Sequence, residues 1–350
     1  MSTWYKKKSL TSPITLIAAG VIAAFIIGWT GRAYFPALHE QIELIEIEPG
    51  FHQSPYYVGT LDLDKKDNGR IPGQIIVHDS ELFVSFRNSP EIAVYDQKLK
   101  KVRSIKLESN HPINIDALTA SSKKLFVANK DIGEIRSYDK QGVLRQAWSW
   151  LPDGSTRISP LGVNVHQGIL YSTDFRINTL MAISVEEITG VKETGELLYA
   201  KPLKPDPNNS STSAKDLMVT PDGRILIADS ESGLISVYSC MGDYYYTFDM
   251  GSGPAKMVAP NSIALDNIPS PDLVARTDSI FDPSNVLYQG RVHVSDAEIG
   301  RVKVFDNQGQ YVLTYGQELG VPEDIAIDTE RGLIFISDSE HKNIAIYKYS

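Results

Sequence analysis

Apolar and polar residues alternate in short runs along most of the chain after Tyr56, and no long run has the helical period. Between residues 291 and 316, Val292 and Val294 alternate with polar neighbours, and two further alternating runs follow. Turn-forming residues separate these runs, among them residues 306–309 with the sequence DNQG. A period of two is typical of strands with one buried face. The stretch therefore predicts three successive strands, each with one face toward the core.

This pattern recurs along the chain. Paired strands are predicted at 82–96, 125–139, 170–184, 225–239, 291–306 and 333–348. A shorter alternating strand precedes each pair, at 72–78, 114–120, 160–166, 215–221, 260–266 and 322–328. The residues that end the second strands, here called the marker residues, are Phe86, Asn129, Asp174, Asp229, Asp296 and Asp338. Four-stranded repeats of about 40–45 residues are typical of propeller blades. The sequence predicts an all-β fold, a six-bladed β-propeller over residues 54–350.

The last repeat has only three predicted strands before Ser350. An alternating strand at Tyr57–Leu63 precedes the first complete repeat, and we expect it to pair beside Ile344–Tyr349 as the missing outer strand. This pairing would close the ring and cover an open strand edge. Two long spacings between repeats predict insertions at 201–213 and 267–290.

The segment before the propeller has the pattern of a membrane anchor. Residues 1–8 form a basic tail, and residues 9–31 carry no charge and are mostly apolar. This run is long enough for a single transmembrane helix. Three lysines precede it and Arg32 follows it closely, so the positive-inside rule predicts a cytoplasmic amino terminus. A cleaved signal peptide is the alternative interpretation.

Residues 32–53 are predicted to be a juxtamembrane connector between this signal anchor and the propeller. The propeller is therefore expected outside the cytoplasm. The lysine-flanked anchor and the absence of disulfides favour a bacterial inner (cytoplasmic) membrane, with the propeller in the periplasm.

Composition excludes some classes of protein. The net charge of −9 argues against binding nucleic acid, which requires a basic surface. The single cysteine, Cys240, excludes a disulfide within the chain and metal sites built from cysteines. Cys240 follows a strand-like run, and we expect it to be a small buried residue.

Three segments carry a family resemblance: ILIADSESGLISVYS (225–239), RVHVSDAEIGRVKVFDNQGQYVLTYG (291–316) and PEDIAIDTERGLIFISDSEHKNIAIY (322–347). They resemble NHL repeats, and the resemblance extends over about residues 72–350, although Phe86 replaces the usual Asp or Asn. The resemblance implies a six-bladed propeller. It does not imply one activity, because relatives include protein-binding and RNA-binding modules, lyases and lactonase-like metal enzymes.

Aligned inner strands place one set of residues at a common level of the channel: Gln74, Asp116, Gly162, Asp216, Ser262 and Asp324. Three carboxylates, Asp116, Asp216 and Asp324, are candidate ligands for a hard cation such as Ca²⁺, with Gln74 and Ser262 as further oxygen donors. This arrangement resembles in kind the sites of calcium-dependent lactonase-like propellers. The alternative is that each carboxylate accepts hydrogen bonds from neighbouring backbone N–H groups. No other cofactor is predicted.

The remaining candidates favour structural roles. The polar marker residues are expected to accept backbone N–H groups in the following turn. His78, His111 and His166 are predicted to be solvated loop residues rather than ligands of a metal lyase. Tyr244-Tyr245-Tyr246 is predicted to pack between blades, with contact to a partner as the alternative. No nucleophile or phosphate-binding motif occurs, so no catalytic residue is assigned.

Two functional hypotheses remain. The first is a non-catalytic module that docks a protein partner through the loops at 108–113, 152–160, 206–215, 251–260 and 316–323. The second is a membrane-anchored hydrolase or lyase with Ca²⁺ or Zn²⁺ in the channel, held by Asp116, Asp216 and Asp324. RNA binding is disfavoured by the acidic charge and the predicted topology.

Overall fold

The repeats fold into four-stranded antiparallel sheets, in which strands that follow one another along the chain pair as neighbours, most of them across short turns. The computed structural model describes residues 54–63, 69–109, 113–149, 151, 154, 156–185, 195–203, 213–248, 253–266 and 290–349. The predicted tail, span and connector (1–53) lie outside the described residues, as do His111 and most of the two insertions. In the part of the chain that is described, no helix is both long and apolar enough to cross a membrane.

The described strands form six blades. Blade 1 contains β2 (Pro72–His78), β3 (Glu81–Phe86), β4 (Glu91–Tyr95) and β5 (Lys101–Lys106). Blade 2 contains β6 (Ala117–Ala120), β7 (Lys124–Asn129), β8 (Glu134–Asp139) and β9 (Leu144–Trp148). Blade 3 contains β10 (Pro160–His166), β11 (Ile169–Asp174), β12 (Thr179–Ser184) and β13 (Leu197–Pro202). Blade 4 contains β14 (Ala214–Val219), β15 (Ile225–Asp229), β16 (Leu234–Tyr238) and β17 (Tyr244–Thr247).

Blade 5 contains β18 (Pro260–Leu265), β19 (Val292–Asp296), β20 (Arg301–Phe305) and β21 (Tyr311–Tyr315). Blade 6 contains β22 (Pro322–Asp328), β23 (Leu333–Asp338), β24 (Asn343–Lys348) and, as its outer strand, β1 (Tyr56–Asp62). Strand β13 extends to Pro202, so the first two residues of the predicted insertion at 201–213 belong to a strand instead.

Strand β1 closes the ring as the sequence predicted. It pairs antiparallel with β24, with Tyr57 opposite Tyr347 and Leu61 opposite Ile344. The rings of Tyr57 and Tyr347 meet edge to face, with centroids 5.6 Å apart. Leu61 is buried in the core between blades 6 and 1. The first strand of the propeller thus joins its last sheet.

The second strands are buried on both faces, which corrects the expectation of one buried face. Every residue of β19 is buried, including His293 and Ser295, which alternate with the valines. The reason is that each blade packs face to face against its neighbours. The core is accordingly divided into clusters between adjacent blades, such as the one that joins Phe83 of blade 1 to Leu125 of blade 2.

One face of the ring, here called the turn face, carries the turns between the second and third strands: 87–90, 130–133, 175–178, 230–233, 297–300 and 339–342. The loops that lead into the first strands lie on the same face. Gly300 has a φ of 62°, and a Cβ on it would lie 2.6 Å from the carbonyl oxygen of Gly320 in such a loop. The turn face is therefore a closely packed layer of turns and loops.

Candidate functional site at the central channel

The first strands surround a central channel with a volume of about 270 Å³. Most residues along it are apolar in type, and the polar side chains include Gln74, Asn164, Asp216 and Asp324. The channel is the site where the sequence predicted converging oxygen ligands.

Asp324 of blade 6 contacts both neighbouring blades. The Ser262 hydroxyl of blade 5 donates to Asp324 Oδ1 at 2.5 Å, and the Ile75 N–H of blade 1 donates to Asp324 Oδ2 at 2.7 Å. The Ile325 N–H of its own strand also donates to Oδ1, at 2.9 Å. A single buried carboxyl thus connects three blades.

Asp216 of blade 4 makes the equivalent contact with blade 5. Its Oδ2 accepts the Ile263 N–H of blade 5 at 2.9 Å, and its Oδ1 accepts the Leu217 N–H at 2.8 Å. Asp216 and Asp324 therefore accept the same backbone amide of the following blade, which is Ile263 in blade 5 and Ile75 in blade 1. The predicted alternative role, acceptance of backbone N–H groups, holds for both carboxyls.

The environment disfavours the charged form of both groups. Burial raises the pKa of Asp216 to about 6, although three hydrogen bonds oppose the shift. Burial also raises the pKa of Asp324, to about 8, and repulsion from the Asp216 carboxylate adds to this shift. The two carboxyls therefore hold a proton at a pH where an exposed aspartate is ionised.

Asp116, the third predicted ligand, is not part of this group. It precedes β6, and its Oδ2 accepts the Lys130 N–H at 2.9 Å, while the Lys130 ammonium forms an ion pair with Oδ1. Because Lys130 supplies both donors from the same blade, the carboxylate turns toward the turn between β7 and β8. The structure brings together Asp216, Ser262 and Asp324 but not Asp116.

Gln74 and Gly162 occupy the same level with other partners. The Gln74 N–H donates to Ser85 Oγ at 2.8 Å, and the Gly162 N–H donates to Thr173 Oγ1 at 3.0 Å. A Cβ on Gly162 would lie 3.0 Å from Asp216 Cα, so blade 4 leaves no room for a side chain there.

The residue directly before the marker residue differs between the blades. Blades 1, 3 and 5 have a hydroxyl residue directly before the marker residue: Ser85, Thr173 and Ser295. In each case that hydroxyl accepts the amide of the inner-strand position, as Ser295 does from Ser262 at 3.0 Å. Blades 2 and 4 have Ala128 and Ala228 instead, and the inner position is Asp. Blade 6 combines both features, with Ser337 before its marker residue and Asp324 at the inner position, so the hydroxyl alone does not predict which blades carry a carboxyl.

The channel does not present the predicted ligand set. Two carboxyls share one level, and their oxygens already accept hydrogen bonds from backbone amides and Ser262. Among the described residues, no group of three or more His, Cys, Asp or Glu side chains is placed to hold a metal ion. The arrangement therefore does not fit a three-carboxylate Ca²⁺ site.

Four polar marker residues accept N–H groups of the following turn as predicted, namely Asn129, Asp174, Asp229 and Asp338, whereas the carboxylate bonds of Asp296 go to the loop that leads into β18. Asp296 accepts the N–H groups of Val258 and Ala259, and Asp338 accepts those of Glu340 and His341. Phe86, the exception, packs under the Arg70 guanidinium, which lies 3.9 Å from the ring centroid. The marker residues fix the turn face rather than form a binding site.

The remaining candidates do not converge either. His78 and His166 end the first strands of blades 1 and 3, and burial lowers the pKa of His166. Tyr246 stacks on Phe248 and its hydroxyl donates to Asn307 of blade 5, in agreement with packing between blades. Cys240 is exposed, which corrects the expected burial, because it lies in the turn between β16 and β17.

The sequence analysis missed a second buried polar cluster, in blade 5. The Asp266 carboxylate pairs with Arg291 at 2.8 Å and accepts from His293 Nε2 at 2.9 Å. Burial alone would raise the pKa of Asp266, but the His293 hydrogen bond and the Arg291 charge lower it below its usual value.

The ionised carboxylate assigns the donor role to Nε2, and His293 Nδ1 is hydrogen-bonded to the Tyr315 hydroxyl at 3.0 Å. Burial raises the pKa of Tyr315 well above its usual value, which keeps this hydroxyl protonated. All four side chains are buried. The cluster joins the residues on either side of 267–290, and its only sequence signal was His293 inside a valine-rich strand.

No protein-family model and no curated protein matches the chain. Matching solved structures include a streptogramin B lyase, at 14% identity and a TM-score of 0.56, over 85% of this chain and 98% of that chain. Selenomethionine-substituted virginiamycin B lyase from Staphylococcus aureus matches at 15% identity and a TM-score of 0.54, over 85% and 99%. A catalytically inactive histidine-to-alanine variant of that lyase, with quinupristin, matches at 14% identity and 0.54, over 85% and 99%. At these identities the likeness shows the propeller fold alone.

Proposed function

We propose that this chain is a membrane-anchored propeller that binds a protein partner outside the cytoplasm through its turn face. The observation that carries the proposal is a set of apolar side chains on that face. Phe175, Val258 and Ile299 are 50%, 48% and 38% exposed. Val258 lies in one of the loops predicted to dock the partner, and the other two lie in turns beside such loops.

These side chains stand on backbone that is already ordered. The Asp174 carboxylate accepts the N–H groups of Arg176 and Ile177, directly after Phe175. The Val258 N–H donates to Asp296 at 2.7 Å. A surface that is ordered before binding loses less conformational entropy when a partner docks. Apolar side chains on such a surface favour a binding role.

The channel supports the same interpretation. The carboxyls of Asp216 and Asp324 hold neighbouring blades together, which is a role in ring stability. A rigid ring with an apolar, ordered face is suited to docking.

The membrane part of the proposal rests on the sequence. The uncharged segment 9–31 and the preceding lysines support a single-pass bacterial inner-membrane protein with its amino terminus in the cytoplasm. The propeller would then lie in the periplasm or otherwise outside the cell's interior.

Site-specific crosslinking in native membranes tests the docking face. A photoreactive residue in place of Phe175 is expected to crosslink one partner protein, and Ile299→Ser is expected to weaken that crosslink severalfold. A photoreactive residue at Leu198, which is 48% exposed on the outer strand of blade 3, is the matched control and should give no such product. Equal crosslinking at both positions, or none at Phe175, would rule out this docking face.

The second candidate is a metal-dependent hydrolase or lyase with Ca²⁺ or Zn²⁺ at the channel. It is favoured by one observation, the similarity of the fold to the solved lyases. Elemental analysis of the purified chain tests it. Stoichiometric metal that is lost in Asp216→Ala, together with an activity that chelation abolishes, would favour the enzyme over the docking module.

A further inference from the structure

The outer edge of blade 1 carries an unusual concentration of positive charge. The segment 96–106, which forms the turn after β4 and the strand β5, contains five Lys and Arg residues and one acid. The whole chain, in contrast, has a net charge of −9. Lys98, Lys100 and Lys106 are exposed, while Arg103 pairs with Glu81 and Lys101 lies near Glu91. Within this segment, ion pairs with nearby acids are formed by Arg103 and Lys101.

The equivalent segments of blades 4 and 5 show that the fold does not require these cations. Residues 239–248 of blade 4 and 306–315 of blade 5 contain no Lys or Arg. Both nevertheless form the same turn and outer strand. The charge on blade 1 is therefore a property of one side of the ring.

Apolar and aromatic side chains accompany these lysines. Val102 is exposed in the middle of the basic segment, and Tyr56, Tyr57 and Val58 are exposed on the outer strand of blade 6. Blades 6 and 1 are neighbours, since Asp324 binds the Ile75 amide. Lys98, Lys100 and Val102 lie at the end of the outer strand of blade 1 that is remote from the turn face, and residues 56–58 lie at that end on blade 6, because both strands start there. Lys106 ends β5, opposite Glu91, and is not part of this group. The rim of the two blades thus combines lysine, tyrosine and valine.

We infer that this rim, here called the basic rim, rests on an anionic lipid surface. Lysines are attracted to anionic head groups, and tyrosines are enriched at the boundary between lipid and water. The described chain also begins at this edge, since residues 1–53, with the predicted span, lead directly into β1. The inference rests on the proposed membrane anchor, and it leaves the turn face, at the other end of the strands, open to a partner.

Lipid-dependent fluorescence quenching tests the basic rim in the full-length chain. With Cys240 replaced by Ser, Val102→Cys carries an environment-sensitive fluorophore, and the protein is reconstituted into vesicles that contain a quencher-bearing lipid. Tyr245→Cys is the matched control. Val102 and Tyr245 are the second residues of β5 and β17, on opposite blades, and are 48% and 55% exposed.

Severalfold stronger quenching at position 102 than at 245 is expected in vesicles with anionic lipid. The combined Lys98→Gln and Lys100→Gln substitutions are expected to reduce it, as is neutral lipid. Equal quenching at both positions, or quenching insensitive to charge, would overturn the inference. If the fluorophore at position 102 responded to soluble polyglutamate but not to lipid, the inference would also be overturned, and the rim would be assigned to an acidic protein partner. If alkaline buffer extracted the chain from the membrane, the proposed anchor would be refuted, and the inference that rests on it would fail as well.

Discussion

Ser262 and Asp324 connect blades 5 and 6 through one hydroxyl group. Ser262 Oγ donates to Asp324 Oδ1 at 2.5 Å and accepts the Ile325 N–H at 3.2 Å. Both side chains are buried, and Asp324 also holds the Ile75 amide of blade 1. This pair lies next to the closure of the ring, where the last blade meets the first. It therefore couples the polar channel to the stability of the whole propeller.

Removal of this hydroxyl is expected to destabilise the protein. Ser262→Ala removes the hydroxyl that donates to the buried Asp324 carboxyl, at a cost of about 1–3 kcal/mol, while the Ile325 amide keeps Asp324 Oδ1 as its acceptor. Urea unfolding of the full-length chain measures the change. Ser122→Ala, at an exposed turn position, is the control and should change stability by less than about 0.5 kcal/mol. Equal effects of the two substitutions would contradict the role assigned to Ser262.

The raised pKa values of Asp216 and Asp324 predict a stability that falls with rising pH. In the unfolded chain both carboxyls ionise near their ordinary pKa, whereas in the folded protein the pKa values are about 6 and about 8. The folded state therefore binds more protons in this range. The contribution is complete below the unfolded pKa and is lost as the pH rises toward 8.

Asp324→Asn isolates this effect. The variant should lose most of the decline in unfolding free energy between about pH 5 and pH 8. The difference between the two proteins is the relevant quantity, because the lowered pKa of His166 acts in the opposite sense in the raw curve. Parallel curves for the wild type and the variant would mean that Asp324 is not protonated in the folded protein.

Closure of the ring by β1 predicts a contrast between two residues of that strand. Leu61 is buried in the core of blades 6 and 1, whereas Val58 is exposed. Leu61→Ala should cost about 2–5 kcal/mol, because it leaves a cavity at the closure. Val58→Ala should cost far less. Chemical denaturation measures both, and similar costs would show that β1 contributes little to the closed ring.

The buried cluster of blade 5 predicts a large loss on charge removal. Asp266→Ala leaves the Arg291 guanidinium and His293 in the interior without the carboxylate, at a cost of about 3–5 kcal/mol. Asp131→Ala, on the exposed turn of blade 2, is the control. Thermal unfolding of both variants would decide the matter, and a small shift for Asp266→Ala would contradict its role.

The sequence was sufficient to predict the six blades and their closure, because these depend on local alternation and on repetition. The pairing of β1 with β24 followed from counting strands. The level shared by Asp216, Ser262 and Asp324 also followed from aligned strands. Asp116 did not fit, because its partner Lys130 lies in its own blade and no inner-strand alignment includes it.

Sequence periodicity did not predict the contacts between blades. Alternation in β19 indicated that His293 faced away from the core, yet the neighbouring blade covers that side and Asp266 and Tyr315 bind its ring. Similarly, Cys240 followed an apolar strand but is exposed in the turn. The burial of such positions depends on how the sheets pack around the ring, and the sequence of a single repeat does not predict that packing.

The partner and lipid proposals both require that one span holds the propeller outside the cytoplasm. The single cysteine provides the most direct measurement, because Cys240 is exposed on the propeller. A membrane-impermeant maleimide should label Cys240 once the periplasm is opened, with the inner membrane intact. A Thr3→Cys variant in a Cys240→Ser background should react only after lysis. Protection of Cys240 until lysis, with early labelling at position 3, would contradict the account.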